Sequence, residues 1–202
     1  MSQRVFAFQS ERPGHQGNWA SNWYRAEFDM SERNYTLPDG RVFTIPANGY
    51  TSTEQGMMQA KALCFAHGEH TDWNTSVARR IMAPVGDLDS PSWHRHQAEI
   101  KKMGGARGPI RGYVDDDWKA VRYEIVKDLN REKFEQNPEL MDELLATGND
   151  IIAEGASYDR VWGIGLSPSH RDVQTPDRWR GTNLLGKLLM ELREEFTDHD
   201  DA

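Results

Sequence analysis

The stretch that most constrains the fold of this chain runs from residue 51 to residue 68, where the sequence carries the signals of a complete helix. Thr51 to Thr53 supply hydroxyl side chains that cap a helix start, and Glu54 favours the first turn. The interior is rich in Ala, Met and Leu, and Gly68 suits the left-handed conformation that ends a helix. The sequence therefore predicts a well-bounded helix between Thr51 and Gly68.

The predicted buried face of this helix includes two charged side chains. At 100° per residue, a stripe of about 120° contains six residues, which are Glu54, Met57, Met58, Lys61, Cys64 and Phe65. A charged group against packed apolar surface has to be paired, be shifted in pKa or face a polar cavity. Glu54 and Lys61 are therefore candidates for a functional site. In the alternative interpretation, Glu54 serves the helix N-terminus and Lys61 extends past Phe65 to solvent.

Length and composition predict one intracellular domain. The chain has 202 residues, of which 37% are hydrophobic, enough for one ordinary core. No apolar run approaches the roughly 20 residues that cross a bilayer, and the first nine residues lack the pattern of a signal peptide. We therefore expect a single domain spanning residues 1–202, located in the cytoplasm.

Charge, cysteine and histidine exclude several classes of function. The net charge of −8 argues against a broad nucleic-acid-binding face, although a small anionic ligand needs only a few local donors. Cys64 is the one cysteine, and we interpret it as a core residue. The histidine pairs His67/His70 and His94/His96 lack the further ligands of a zinc site, and motifs for nucleotides or nucleophilic serine are absent. We expect no metal and no other cofactor.

Strand patterns precede residue 51 and helical patterns follow it. Arg4 to Phe8 alternates weakly as a short strand, and Asn34 to Leu37 and Arg41 to Ile45 flank Pro38-Asp39-Gly40 as a hairpin. The later predicted elements are helices at 72–82, 90–104, 115–136, 138–148 and 183–196, and a strand within 150–156. A Gly-rich run favours an insertion or a mobile loop between residues 83 and 113. The predicted fold class is α+β, a helix-rich single domain with a small N-terminal strand and hairpin region.

Seven tryptophans are unusual for a chain of this length. Several of them lie in polar, glycine-containing surroundings, namely Trp19, Trp23, Trp162 and Trp179. An aromatic face in such a setting contacts either a neighbouring side chain or a ligand. The tryptophans therefore indicate a planar, ring-bearing ligand without excluding a structural role.

Six clusters of residues occur along the chain in an order typical of one protein family. They are Ser21-Asn22-Trp23-Tyr24; Thr53-Glu54-Gln55 with Gln59-Ala60-Lys61-Ala62; Trp118 and Arg122 with Lys133-Phe134 and Gln136-Asn137; Leu144-Leu145 and Thr147-Gly148 with Glu154; Trp162-Gly163 with Gly165-Leu166; and Asn183-Leu184-Leu185-Gly186 with Leu189-Met190 and Arg193. This ordered set resembles the NADAR family, the YbiA-like N-glycosidases. The resemblance extends from about Phe6 to Arg193.

The resemblance implies a helix-rich α+β domain that cleaves N-glycosidic bonds between ribose and a base or amine. Its implied substrates are phosphorylated riboflavin-pathway intermediates or ADP-ribosylated guanine, including guanine in nucleic acid. Lys61 resembles the family lysine that attacks ribose C1 and forms an imine, and Glu54 resembles the acid that transfers a proton. Trp118 resembles the aromatic residue of the catalytic set, and Glu154 is the fourth catalytic candidate.

The chemistry of the reaction is consistent with these residue types. Cleavage of an N-glycosidic bond builds positive charge on the ribose, so it needs an anion, a proton donor or a nucleophile that traps the sugar. Lys61 acts as a neutral amine only if burial lowers its pKa. Glu54 lies two turns away, about 10 Å along the axis, so we expect the substrate or Glu154 to lie between them.

Eight further residues are candidates for substrate binding. Trp118 and Arg122 share a helix face, where an indole and a guanidinium suit a ring and a phosphate; the alternative is a core Trp beside a surface Arg. The candidates are Arg122, Asn22, Trp23, Tyr24, Trp162, Gly163, Gly165 and Asn183. The glycines alternatively only shape a turn, and Asn183 alternatively only caps the last helix.

Two points stay open from the sequence. This chain has Ile164 where some relatives carry Asp, so Glu154 or Asp159 would have to supply any carboxylate needed there. A non-catalytic module that binds ADP-ribose or NAD would use the same residues as an N-glycosidase. The residues alone do not separate an enzyme from such a module.

Overall fold

The structure, a computed structural model, describes residues 3–84, 86 and 89–200. In chain order the strands are β1 Val5–Phe8, β2 Phe28–Met30, β3 Arg33–Thr36, β4 Val42–Ile45, β5 Asn48–Tyr50 and β6 Ile151–Glu154. The helices are α1 Thr53–Cys64, α2 Thr71–Ile81, α3 Ser90–Gly104, α4 Asp115–Glu135, α5 Pro138–Leu145 and α6 Leu184–Asp200. Contacts divide the chain into two compact units, which we call unit 1 (Met1–Tyr24 and Asn137–Ala202) and unit 2 (Arg25–Gln136).

The strands of unit 2 form a nested pair of antiparallel ladders. β3 pairs with β4 across Pro38-Asp39-Gly40, where Gly40 takes a φ of 85° and the Leu37 amide donates to the Arg41 carbonyl at 2.8 Å. The predicted hairpin is confirmed. Outside it, β2 pairs with β5 in the register Phe28 to Tyr50, a pairing that the sequence did not predict.

Helix α1 lies at the centre of unit 2 and packs against α2, α3 and α4. Ser52 caps it by accepting a hydrogen bond from the Gln55 amide. Gly56 lets α4 approach, because a Cβ at that position would lie 2.5 Å from Leu129 Cδ2. Buried residues occur around almost the whole helix, so the predicted single buried stripe was too narrow. The buried residues are Thr53, Glu54, Gln55, Gly56, Met57, Met58, Gln59, Ala60, Ala62 and Cys64.

The other predicted helices are present with small changes of boundary. Helix α1 ends at Cys64, and Gly68 takes its positive φ of 54° in the following 3₁₀ turn, not as the helix stop. Helix α3 is capped by Asp89, whose carboxylate accepts from the Ser92 amide at 3.0 Å. Helix α6 continues beyond the predicted end at Phe196. The predicted insertion or loop between residues 83 and 113 contains α3, and residues 85, 87 and 88 within it lie outside the described part of the chain.

Unit 1 is built on the parallel pairing of β1 with β6, in the register Val5 to Ile151. Helix α6 packs against β6, and α5 packs against α6 and the 3₁₀ turn Asn18–Ala20. An apolar cluster lies beside the sheet and consists of Val5, Ala153, Ile164, Leu166 and Val173. Ile164 is fully buried in this cluster, so it serves the core of unit 1.

In the described part of the chain, six helices with a few short strands confirm the α+β, helix-rich fold class and the N-terminal strand and hairpin region. The single domain over residues 1–202 stays a prediction. Cys64 is 2% exposed, and burial raises the pKa of its thiol to about 12, so it is an inert core residue as predicted. Within the described ranges, no helix combines the length and apolar character required of a membrane-spanning segment.

Lys133, near the end of α4, is the most unusual buried residue of unit 2. Its side chain is fully buried, and burial lowers the pKa of its amine to about 7. An unfolded lysine has a pKa of about 10.4. Between these values the unfolded state binds more protons than the folded state, so the lysine makes stability fall as pH drops from about 10 to about 7.

We predict that Lys133→Met changes the melting temperature more favourably at pH 6.5 than at pH 9.5. Methionine fills a similar volume without an amine that must lose its proton or its hydration. Thermal melts of both proteins at the two pH values measure the effect. An equal difference at both pH values would contradict the assigned cause.

Candidate functional site

Glu54 and Lys61 both lie on α1 with restricted access to water. Glu54 is 2% exposed in the first turn, where the helix dipole favours an anion. Its neighbours Ser52, Thr53 and Gln55 are buried as well, so the start of α1 is a polar region inside unit 2. Lys61 is half-buried. The interpretation in which Lys61 only extends to solvent therefore describes this side chain poorly.

The surroundings of Lys61 favour a neutral amine more than water does. Burial lowers the pKa of Lys61, and the positive charge of Arg122 acts in the same direction. The negative charges of Glu54 and Asp115 oppose the shift. The net result is a lysine that loses its proton more readily than a solvent-exposed one.

Two aromatic rings flank the Lys61 amine. Its Nζ lies 4.7 Å from the centroid of Tyr113 and 5.8 Å from that of Trp118, within the range of cation–π attraction. Trp118 is 5% exposed on α4. Tyr113 precedes α4 and was missed in the sequence, because it falls in the segment interpreted as a loop and no spacing rule links it to α1.

The four predicted residues of unit 2 therefore occur in one neighbourhood. Trp118 adjoins the Lys61 amine, and the charges of Glu54 and Arg122 both act on that amine. Arg122 lies one turn after Trp118 and is partly exposed. We call Glu54, Lys61, Trp118 and Arg122, with Tyr113, the lysine cluster.

The remaining predicted residues belong to unit 1, and several lie in the loop that follows β6. Glu154 is the last residue of β6 and is partly exposed. Asp159 Oδ1 accepts hydrogen bonds from the amides of Val161 and Trp162, both at 2.8 Å. Asp159 is one of the two candidates to supply the carboxylate that Ile164 lacks. Its Oδ1 holds the backbone of this loop.

Backbone contacts explain both glycines of this loop. A Cβ on Gly163 would lie 2.8 Å from the Glu154 carbonyl oxygen, and the Ile164 amide donates to that same oxygen at 2.9 Å. Gly165 takes a φ of 68°, which a residue with a side chain rarely adopts. The turn-shaping interpretation of these glycines thus has direct structural support, and their role in substrate binding stays a prediction.

Asn183 connects β6 with the start of α6. It is 2% exposed with a φ of 52°, its Nδ2 donates to the Ile152 carbonyl at 2.8 Å, and its Oδ1 accepts from the Glu154 amide at 3.1 Å. Both ends of the side-chain amide therefore hold the backbone of β6. Its carbonyl also accepts the first hydrogen bond of α6, from the Lys187 amide at 3.0 Å.

The segment 21–24 and the other tryptophans divide into different roles. Asn22 is 6% exposed, while Trp23 and Tyr24 are partly exposed in a turn in which the Trp23 amide donates to Ser21 Oγ at 3.2 Å. By contrast, Trp19 stacks on Phe6 at 6.0 Å, and Trp179 packs on the apolar cluster of unit 1. Trp19 is buried, whereas Trp23, Trp162 and Trp179 each keep part of their surface exposed.

Three cavities formed by described residues lie away from the predicted site residues. Open cavities of about 670, 400 and 700 Å³ are lined by described residues that include Arg193, Cys64 and Lys102 respectively, and by none of the predicted site residues. Over residues 3–84, 86 and 89–200, no group of three His, Cys, Asp or Glu side chains is placed to hold a metal ion.

A family model described as "NADAR domain" matches residues 7–197. The chain belongs to this family. It is 39% identical over 147 residues to N-glycosidase R617 of Acanthamoeba polyphaga mimivirus, covering 72% of this chain and 74% of the viral protein. It is 37% identical over 96 residues to N-glycosidase YbiA of Escherichia coli, covering 47% of this chain and 51% of YbiA.

Two further comparisons complete the family relationship. The riboflavin biosynthesis protein VVA0006 of Vibrio vulnificus is 39% identical over 83 residues, which is 41% of this chain and 20% of that protein. The NMR structure of E. coli YbiA superimposes with a TM-score of 0.62 and 22% identity, covering 99% of this NADAR chain and 89% of YbiA. At that identity the superposition shows a shared fold, in agreement with the predicted YbiA-like architecture.

We predict that Asn183→Ala destabilises the protein by about 1–3 kcal/mol, because the carbonyl of Ile152 and the amide of Glu154 each lose a buried partner. Alanine also tolerates the positive φ poorly. Urea unfolding of the two proteins measures the loss. Lys187→Ala, at an exposed position of the same helix, is the matched control and should unfold as the wild type does. Equal stability of Asn183→Ala and wild type would contradict the structural role.

Proposed function

We propose that this NADAR protein hydrolyses the N-glycosidic bond of a phosphorylated ribose or ADP-ribose conjugate. The enzyme class is supported by the relatives, since proteins named N-glycosidase match this chain at 39%, 37% and 32% identity. A hydrolase acting on N-glycosyl compounds is the class that these relatives share. The name of the Vibrio protein supports a riboflavin-pathway intermediate as one substrate, and ADP-ribosylated guanine is the other substrate that we propose.

The observation that carries the proposal is the state of Lys61. Its amine is half-buried, its pKa is lowered by burial, and two aromatic rings flank it. Burial favours the neutral amine that a nucleophile needs, and the two rings restrict where that amine lies. The buried carboxylate of Glu54 on the same helix supplies a group for proton transfer.

The proposed reaction proceeds through a covalent intermediate on Lys61. The neutral amine attacks ribose C1, and the bond between C1 and the base nitrogen breaks with its electron pair going to the base. In our proposal the carboxylate of Glu54 takes up the proton that the attacking nitrogen loses and passes it to the departing base. The bond between C1 and the ring oxygen then breaks, and the remaining proton of the lysine nitrogen goes to that oxygen as the ring opens to an imine. Water hydrolyses the imine to the free sugar and the regenerated amine.

The remaining members of the lysine cluster suit the two ends of such a substrate. The partly exposed Arg122 guanidinium is a donor for a phosphate, and Trp118 provides an aromatic face beside the reacting amine. Roles for Glu154, Asn22, Trp23, Tyr24, Trp162, Gly163, Gly165 and Asn183 are proposals that rest on the family resemblance.

We predict that Lys61→Ala lowers the rate of cleavage at least about a thousandfold while the protein stays folded. Lys61→Arg is the matched control, because arginine keeps the positive charge but provides no nucleophilic amine. Both variants should be inactive if the amine attacks the sugar. The assay incubates protein with NAD, ADP-ribose, ADP-ribosylated guanosine or a phosphoribosylamino-pyrimidine and detects released base by mass spectrometry. Full activity of Lys61→Arg would restrict Lys61 to an electrostatic role.

The covalent intermediate can be trapped directly. Cyanoborohydride reduces an imine to a stable amine, so turnover in its presence should add the mass of the reduced sugar to the peptide that contains Lys61. Binding of ADP-ribose or NAD without turnover and without this adduct would favour the non-catalytic binding module.

We predict that Trp118→Ala and Arg122→Ala mainly raise KM, because the ring and the guanidinium contact parts of the substrate that do not react. The expected increase is about tenfold or more for Arg122, since hydrogen bonds to charged groups contribute about 1.5–3 kcal/mol. Steady-state kinetics on the substrate found above measure both constants. An unchanged KM in both variants would argue against their role in binding.

A further inference from the structure

Tyr113 is the aromatic ring nearest to the Lys61 amine, with Nζ 4.7 Å from its centroid. It reaches the amine from outside α1 and α4, at the end of the segment that joins α3 to α4. The tyrosine side chain is also 40% exposed. The amine therefore lies between solvent-accessible Tyr113 and buried Trp118.

The ring of Tyr113 is held by contacts on two sides. It forms an edge-type aromatic pair with Phe65, with the centroids 5.1 Å apart and the planes at 63°. Its hydroxyl donates to Asp115 Oδ1 at 2.9 Å, and Asp115 also pairs with Lys119 at 2.6 Å. Burial raises the pKa of the Tyr113 hydroxyl to about 12, so this group remains a donor at neutral pH. Asp115 thus fixes the outer end of the ring.

The chain that leads to Tyr113 is anchored on α2. Asn74 is fully buried and exchanges two hydrogen bonds with the backbone of Arg111, at 2.9 and 3.0 Å. Asn74 also donates to the Phe65 carbonyl at the end of α1. Trp73 Nε1 donates to the Pro109 carbonyl at 2.7 Å. These bonds fix the backbone just before Tyr113. The contact between the Tyr113 ring and Lys61 therefore depends on the packing of unit 2.

We propose that Tyr113 is a positioning residue for Lys61, whose ring holds the amine against Trp118 and in line for the sugar. This inference rests on the proposed role of Lys61 as the nucleophile. A free lysine side chain samples many rotamers, so a ring that restricts it prepares the amine for attack. The exposed part of Tyr113 leaves the cluster accessible to a substrate.

The ring also acts on the balance between the charged and neutral amine. The titratable and charged groups that act on Lys61 are Glu54 and Cys64 on α1, Asp115 and Arg122 on α4, and Tyr113. An aromatic face attracts the ammonium form and not the neutral form. Replacing the ring by an aliphatic side chain of similar bulk keeps the amine shielded from water but removes this attraction. The pKa of Lys61 should then fall.

The test compares Tyr113→Leu and Tyr113→Phe with wild type. Reductive methylation with formaldehyde reports the neutral amine, and peptide mass spectrometry resolves Lys61 as a function of pH. We predict that the midpoint for Lys61 shifts down by about half to one pH unit in the Leu variant. The Phe variant keeps the aromatic face and should titrate like wild type. The acid limb of kcat/KM should move by the same amount as the labelling midpoint.

Val114→Ala is the matched control for local packing, since Val114 is the exposed neighbour of Tyr113 and its substitution should leave the midpoint unchanged. An identical midpoint in Tyr113→Leu and wild type would overturn the proposal. If Tyr113→Leu fails to fold in a thermal melt, Tyr113→Met provides the same comparison without an aromatic ring. If the labelling midpoint of Lys61 shifts in Tyr113→Leu but the wild-type protein cleaves none of the substrates, the contact between Tyr113 and the amine stands and the proposed glycosidase function is rejected.

Discussion

The structure of unit 2 depends on how helix α1 accommodates two charged side chains in a buried position. The helix is buried on nearly all sides, yet it carries a carboxylate and an amine. The carboxylate lies in the first turn, among capping and polar side chains. The amine lies near the last turn between two rings. The carboxylate and the amine therefore have different surroundings at the two ends of the helix.

This arrangement explains why the cluster suits nucleophilic chemistry. A directly paired lysine would remain protonated, because a nearby carboxylate favours the ammonium form. Here burial and Arg122 act against the proton, while Glu54 and Asp115 act for it. Such a balance gives an amine that gains and loses a proton readily. The Lys61 nitrogen needs this property because it first attacks the sugar and is later released from it.

Local signals account for the parts of the fold that the sequence predicted. Capping residues, the Pro-Asp-Gly turn and helical periodicity act over a few residues, and they gave α1, the β3–β4 hairpin and the long α4. Pairings such as β2 with β5 and β1 with β6 join distant segments and leave no local mark in the sequence. The helical stripe predicted that Glu54 is buried. The opposite face of α1 is also buried because α2, α3 and α4 all pack against this helix, and no local pattern in the sequence indicates that packing.

The same distinction applies to the candidate site. Lys61, Glu54 and Trp118 were found through their spacing and the family resemblance, whereas Tyr113 depends on an anchor at Asn74 that only the folded chain reveals. Ile164 illustrates the converse case. Its place in the apolar cluster of unit 1 gives it a core role that the motif alone did not indicate.

The parallel pairing of β1 with β6 bears on the order in which the chain acquires its structure during synthesis. Unit 2 is continuous in sequence, so its contacts are available once residue 136 has left the ribosome. Val5 has to wait for Ile151, and closing so long a loop costs conformational entropy before any contact forms. The first strand therefore stays without its partner while residues 9–150 are synthesised, and its short length of four residues limits the edge that it offers to other nascent chains.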